Sequence, residues 1–337
     1  MTGLRLHMNE NTGGCSPRVV EAIRGMQATD LALYPEYGPY TEACAQHFGV
    51  RPEWVVLTNG LDEGVLLTAL GHIARERAFD AEVIIPVPAF DSYPWATAAV
   101  GATPVRVPAG DDFAFPVAAV LEAITRRTRL VFLNTPNNPT GRLIAREDLA
   151  RVAEAAPHAA VLVDETYIEI GGTSFLPDLP RHPNVIVGRS FSKVYGLAGL
   201  RIGCLIGHPD ILQPVRAVTP LKNVNHVALV AMLAALDDKA FSSQYISEVR
   251  ASRQIVYATC SRLGLRYWPS EGNFVLLDVG DPVRPVLDAL QAAGLTVRDR
   301  STDPYSPGCL RVTTGLTTHT QAAMDALEAA LAGRQSS

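Results

Sequence analysis

The sequence predicts an α/β protein, in which a large, doubly wound and mainly parallel sheet is followed by a smaller α+β unit. Three observations predict it. Short apolar, β-branched runs alternate with helical stretches over residues 54–188, the pattern of βαβ units. The turns that leave the carboxyl ends of those runs carry glycine, proline, asparagine and aspartate, and this is the edge where open α/β sheets bind ligands. Beyond residue 207 the rhythm changes to long helices and then to mixed strands and helices. At 337 residues the chain has room for two domains of ordinary size. We expect an N-terminal segment at 1–30 packing with the small domain, a large domain at 31–235 and a small domain at 236–337.

Residues 6–14 read LHMNENTGG, a polar, glycine-bearing loop. Ser16 as N-cap and Pro17 at the first helical position open a helix to about residue 25. Residues 31–40, LALYPEYGPY, read as a proline- and glycine-rich loop before a helix to about residue 48. An apolar strand at 54–59 runs into Gly60, Leu61 and Asp62 and a helix to about residue 73. Free backbone N–H groups at such a helix start attract anions, although a glycine there equally serves a tight turn. Further strands are expected at 82–87, 104–107, 129–133, 159–163 and 184–188, with helices at 91–100, 116–125 and 146–156. One or two long helices cover 223–263. Strands at 274–279, 295–299 and 309–312 and helices at 283–293 and 320–332 make up the smaller unit, and only the tail, 333–337, is expected to be unstructured.

Hydrophobic residues at 47% and charged residues at 19% fit a soluble globular chain rather than a disordered one. A net charge of -5 offers no electrostatic footprint for nucleic acid or an anionic membrane. No apolar run approaches the roughly 20 residues that span a bilayer, and the N-terminus lacks a signal-peptide core. A cytoplasmic enzyme is therefore expected. Cys15, Cys44, Cys204, Cys260 and Cys309 are scattered without a C-x-x-C pair or a histidine at ligand spacing, so free thiols and no metal are expected.

The chemistry centres on residues 189–203, RSFSKVYGLAGLRIG. Lysine occurs only at Lys193, Lys222 and Lys239, while Lys plus Arg total 29. Lys239 lies beside two aspartates in LDDKAFSS and reads as a solvated charge; Lys222 sits in a loop. Lys193 alone follows a buried strand in a glycine- and serine-rich turn, with Ser190, Ser192 and Arg201 around it. An amine flanked by hydroxyls and a cation suits a Schiff base to an aldehyde that carries a phosphate, which points to pyridoxal phosphate. Such a cofactor needs an acid at its pyridine nitrogen, and Asp164 at a strand end can supply it.

Seven motifs in order, NEN (9–11), YPEY (34–37), NGLDE (59–63), NTPNNPTG (134–141), DETYIE (164–169), SFSKVYGLAGLRIG (190–203) and GCLRVTTG (308–315), resemble those of the fold-type I pyridoxal-phosphate-dependent aminotransferases. The likeness runs over nearly the whole chain and is greatest to the histidinol-phosphate aminotransferase family. The resemblance implies a seven-stranded large sheet, pyridoxal 5′-phosphate as cofactor and a ping-pong transfer of an amino group from an amino acid or amino alcohol to a keto acid or aldehyde. It implies that Lys193 is the covalent and proton-moving residue and that Asp164 pairs with the pyridine nitrogen. Asn138 and Tyr167 would bond the phenolate oxygen, Phe90 would stack on the ring, and Gly60, Leu61, Asp62, Ser190, Ser192 and Arg201 would hold the phosphate. It further implies a homodimer in which Tyr34 reaches the neighbouring subunit's cofactor, and a substrate carboxylate clamped by Arg311 with Asn11, Arg298 and Lys222 on the substrate side. Each residue has a plainer reading: Asp164 as a helix cap, Asn138 as a turn former, Phe90 and Tyr167 as core aromatics, the arginines as surface ion-pair partners.

Two differences bear on the substrate. The family's NENP followed by a bulky residue is here NENTGG, with Thr12, Gly13 and Gly14, and the family carries an N-terminal arm ahead of this motif, whereas this sequence begins close to it. A more open or differently shaped entrance is the expectation, and with it either histidinol phosphate or, in a specialised biosynthetic role, another substrate. A decarboxylase or lyase of the threonine-phosphate decarboxylase type is the alternative reaction, because both begin from the same bound form and differ in the bond broken at Cα.

Overall fold

The computed structural model describes residues 3–75 and 80–335. Residues 336 and 337 of the expected unstructured tail, and residues 1 and 2 of the expected N-terminal segment, lie outside the described residues. The strands, in chain order, are β1 (Leu4–Leu6), β2 (Val55–Thr58), β3 (Glu82–Val87), β4 (Thr103–Pro108), β5 (Thr128–Asn134), β6 (Ala160–Asp164), β7 (Val185–Ser190), β8 (Gly203–Gly207), β9 (Tyr267–Trp268), β10 (Phe274–Asp278), β11 (Leu295–Asp299) and β12 (Cys309–Thr313). The helices are α1 (Pro17–Arg24), α2 (Ala28–Ala32), α3 (Gly38–Phe48), α4 (Leu61–Ala69), α5 (Ser92–Ala99), α6 (Val117–Ala123), α7 (Arg146–Ala155), α8 (Pro209–Val218), α9 (His226–Asp237), α10 (Lys239–Leu263), α11 (Arg284–Ala292) and α12 (Thr317–Gln335).

Seven strands form the large sheet in the order β2-β8-β7-β6-β5-β3-β4. Strands β7, β6, β5, β3 and β4 pair in parallel, while β8 runs antiparallel to both β2 and β7. Successive side chains of a strand point to opposite faces, and here both faces are covered. In β6, Val161 and Val163 enter the core on one side and Ala160 and Leu162 the core on the other. Strand β5 divides in the same way, Val131 and Leu133 against Leu130 and Phe132. This double burial is why these strands read as continuous apolar runs rather than alternating ones. Leu162 is fully buried at the sheet's centre. Its truncation to alanine is expected to cost about 2–5 kcal/mol, measured as a lower midpoint in denaturant unfolding with the slope unchanged.

The second sheet runs β1-β11-β12-β10-β9, and α10, α11 and α12 cover it. Strand β1 lies parallel to β11, with Leu4 opposite Leu295. The N-terminal segment thus divides: β1 joins the second sheet, whereas α1 packs against α9 and buries Val19 in the first core.

Several elements depart from the sequence reading. Strand β1 lies in a stretch given no element, and α2 occupies the start of what read as the 31–40 loop. Strand β8 and helix α8 were not assigned either. The 223–263 stretch resolves into α9 and α10. Asp238 breaks it, leaving the helical region at φ -95, ψ 68 and accepting the Phe241 N–H at 3.2 Å as the cap of α10.

Candidate active site

The carboxyl ends of the parallel strands converge on one cavity of about 460 Å³. Strands β5, β6 and β7 end in Asn134, Asp164 and Ser190. Phe90 follows β3, and Gly60 and α4 follow β2. Because β8 is reversed, its first residue Gly203 sits opposite both Thr58 and Ser190, which brings Arg201 to the same edge. Phe90, Asn138, Asp164 and Tyr167 line the cavity with Ser190, Ser192 and Lys193. Leu61, Asp62 and Arg201 line it from the α4 side, and Arg298 and Arg311 from the second sheet.

The start of α4 is shaped by Gly60, whose φ of +78° belongs to the left-handed half of the map and whose hypothetical Cβ would meet the Arg201 guanidinium at 2.5 Å. Arg201 Nη2 donates to Asp62 Oδ2 at 2.7 Å, and Ser92 Oγ donates to Asp62 Oδ1 at 2.9 Å. The Ser190 hydroxyl accepts the Ser192 N–H at 3.2 Å. Hydroxyls, a guanidinium and a helix N-terminus therefore meet at one end of the cavity, a set suited to a phosphate.

Asp164 is buried, and burial pushes its carboxyl above the usual range while the Tyr93 hydroxyl and Thr166 N–H pull it back. Tyr93 Oη donates to Oδ2 at 2.6 Å and Thr166 N to Oδ1 at 2.9 Å. Tyr93 itself stacks on Phe132 at 4.7 Å and meets Phe90 edge-on at 5.8 Å. The sequence reading missed Tyr93. Its place three residues beyond Phe90, near the start of the helix expected at 91–100, was the available signal.

Lys193 lines the same cavity; its Nζ donates to Met8 O at 3.0 Å and stands 5.7 Å from the Tyr167 ring centre. Burial, reinforced by the nearby Arg311, brings its amine down to about 8. Burial likewise raises the Tyr167 phenol to about 12. Arg311 Nη1 donates to Asn138 Oδ1 and Nη2 to His7 O at 2.7 Å; burial lowers its guanidinium to about 10. Arg298 is held by Asp91 at 2.8 Å.

Four expected residues do not line this cavity: Gly60, which stands behind the Arg201 guanidinium, and Asn11, Lys222 and Tyr34, which are not brought to it. Asn11 Nδ2 donates to Val194 O at 3.0 Å and its Oδ1 accepts the Gly13 N–H, and it lines a separate cleft with Thr12. Asn9, two residues earlier, lines the cavity in its place. Lys222 Nζ donates to Pro35 O at 2.9 Å beside the Tyr37 ring. Tyr34 is 80% exposed on the outer surface. Nor do Thr12, Gly13 and Gly14 shape the cavity wall; the Thr12 hydroxyl accepts the Leu316 N–H at 2.9 Å instead.

The profile of the family Aminotransferase class I and II matches residues 2–331, and the chain belongs to that family, as a pyridoxal-phosphate-dependent aminotransferase of fold type I. Among its relatives is a histidinol-phosphate aminotransferase of Symbiobacterium thermophilum, 37% identical over 97% of this chain and 90% of that protein. The histidinol-phosphate aminotransferase of Sinorhizobium meliloti, solved in complex with pyridoxal-5′-phosphate, superposes with a TM-score of 0.90 at 27% identity over 99% of this chain and 92% of that one. L-threonine-O-3-phosphate decarboxylase of Porphyromonas gingivalis shares the fold, with a TM-score of 0.84 at 22% identity, covering 98% and 99% of the two chains. The residues in the cavity fit the cofactor: an amine for its aldehyde, a carboxylate for its pyridine nitrogen and the Gly60–Arg201 end for its phosphate.

Proposed function

We propose that this aminotransferase acts on an amino alcohol or amino acid bearing a distal anionic group, with histidinol phosphate as the first substrate to test and a 2-oxo acid as its partner. The observation that carries this reading is the cavity itself, in which Lys193, Asp164 and several arginines, Arg298 and Arg311 among them, line one space. The cofactor supplies an electron sink for the bond broken at the substrate Cα. Lys193 would hold it covalently and would carry the Cα proton at Nζ. The Asp164 carboxylate would keep the pyridine nitrogen protonated, Asn138 and Tyr167 would bond the phenolate oxygen, and Phe90 would pack against the ring. Gly60, Leu61, Asp62, Ser190, Ser192 and Arg201 hold the phosphate. Arg311 orients the anionic group of the substrate, with Arg298 beside it.

The same reading assigns the large domain to 31–235 and the small one to 236–337, with the N-terminal segment contributing β1 to the second sheet and α1 to the first core. A homodimer is supported by the exposed apolar group Leu31, Leu33, Tyr34 and Leu221, at 65%, 68%, 80% and 92% exposure, with Tyr34 completing the partner's site. No helix among the described residues is long and apolar enough to cross a membrane. A cytoplasmic role in amino acid biosynthesis accords with five cysteines that are all free thiols.

Only the neutral amine attacks an aldehyde, so capture of the cofactor by the apo-protein should accelerate with rising pH as Lys193 loses its proton. The midpoint is expected near 8, below the 10.5 of an ordinary lysine. Stopped-flow absorbance against pH measures it. For the substrate, steady-state turnover of histidinol phosphate with a 2-oxo acid is compared with that of histidinol. The expected result is kcat/KM at least about tenfold higher for the phosphorylated compound. Equal values would remove the distal anion from the reading.

A further inference from the structure

Tyr167 presents to the cavity a hydroxyl whose hydrogen-bond direction is imposed by a neighbour in the cavity wall. Asn9 imposes it. This residue is 1% exposed and has a φ of +53°, a conformation that asparagine tolerates better than most residues with a Cβ. Its polar groups are all engaged. The backbone N–H donates to Thr313 Oγ1 at 3.1 Å, and the backbone carbonyl accepts from Asn273 Nδ2 at 3.0 Å. Its Oδ1 accepts the Thr313 hydroxyl at 3.2 Å, and its Nδ2 donates to Tyr167 Oη at 3.0 Å. The orientation of the amide follows from Thr313: its oxygen already accepts the Asn9 N–H, so its own proton requires an acceptor, and Oδ1 provides one. Nδ2 must then face Tyr167.

From this arrangement we infer that Asn9 is a positioning residue that makes the Tyr167 hydroxyl a donor into the cavity. The amide occupies a lone pair of Oη as a donor, which leaves the phenolic proton to point at whatever acceptor the cavity holds. The inference rests on the reading above, in which that acceptor is the phenolate oxygen of the cofactor. It also gives the N-terminal segment a task at the site. Thr313 is in β12 and Asn273 immediately precedes β10, so Asn9 is pinned to the second sheet by three bonds and reaches Tyr167, beyond the end of β6, by one.

Asn9→Asp keeps the size of the side chain and tolerates the same φ, but replaces the donor by an acceptor. The phenolic proton should then turn to the carboxylate and leave the cofactor. With that competing bond lost from the phenolate oxygen, the pH midpoint of the visible cofactor band should rise. Loss of one hydrogen bond to a charged group corresponds to a shift of roughly one to two pH units. The charged groups facing Tyr167 are Arg311, Asp164, Asp62 and Lys193, and none of them is changed by the substitution. The new carboxylate also acts through space on the band, and the Tyr167→Phe background separates the two effects.

The experiment titrates the visible band of the cofactor-loaded protein in the wild type, Asn9→Asp, Tyr167→Phe and the double variant, with Asn9→Gly as the variant that keeps the backbone conformation and removes the amide. A shift in Asn9→Asp that falls by more than half in the Tyr167→Phe background, with a smaller shift in Asn9→Gly, is the expected result. The inference is overturned if more than half of the shift survives without the Tyr167 hydroxyl, if Asn9→Gly and Asn9→Asp shift equally, or if a folded, loaded Asn9→Asp does not shift. A wild type with no visible band at all would instead overturn the reading of the site.

Discussion

Lys193→Ala is expected to lower kcat by roughly 10⁴-fold or more and to abolish the covalent cofactor band, while leaving the fold intact. Three functions are lost with one amine: the bond to the cofactor aldehyde, the leaving group that substrate displaces, and the base at Cα. Neither remaining lysine can take its place. Lys222 is bonded to Pro35 O, away from the cavity, and Lys239 opens α10. The comparison that decides is between chemistry and binding. Residual non-covalent cofactor affinity should persist through the Gly60–Arg201 end and Asp164, so the variant should still retain cofactor that a gentle phosphate wash removes. A Lys193→Ala protein that kept both the band and the turnover would move the reaction to another residue.

Asp164→Asn is the second large effect, with kcat expected to fall by about 10²–10³-fold, the range found when one preorganised electrostatic partner of a developing charge is lost. The amide fills the same space and accepts the Tyr93 hydroxyl as the carboxylate does, but carries no charge to keep the pyridine nitrogen protonated. Tyr93 bears on the same balance. Burial favours a neutral Asp164, and the 2.6 Å bond from Tyr93 opposes it. Kinetics in single turnover, with cofactor occupancy measured separately, distinguish the loss of chemistry from a loss of cofactor. Unchanged single-turnover rates in Asp164→Asn would exclude the pyridine role.

The large sheet was legible because its strands are buried on both faces, so local sequence alone carries the signal. Residues 129–133 and 159–163 read as strands for the same reason that Val131, Val161 and Leu162 are fully buried. The three-residue β1 was not legible. Its definition is a pairing with Leu295–Val297, far along the chain, and nothing local marks it. Strand β8 was hidden by its glycine-bounded sequence, GCLIG, and α8 by an internal proline, Pro214. At the site, residues attached directly to strand ends or to the lysine turn were found, because the edge of the sheet fixes their position. Asn9 and Asn11 show the limit. In NEN both asparagines read alike; in the structure Asn9, with its left-handed φ of +53°, lines the cavity, whereas Asn11 lines a separate cleft. Tyr34, 80% exposed, and Lys222, bonded to Pro35 O, lie away from the cavity, so their place on the substrate side came only from likeness to relatives.

The central claim, that the cavity around Lys193 transfers an amino group, is tested most directly by a half-reaction followed in the spectrum of the cofactor-loaded protein. Addition of an amino donor alone should bleach the visible band stoichiometrically, with formation of the corresponding carbonyl product and without release of carbon dioxide. Addition of a 2-oxo acid should then restore the band. Carbon dioxide release with the band regenerated by the donor alone would contradict the account and identify the chain as a decarboxylase on the same scaffold.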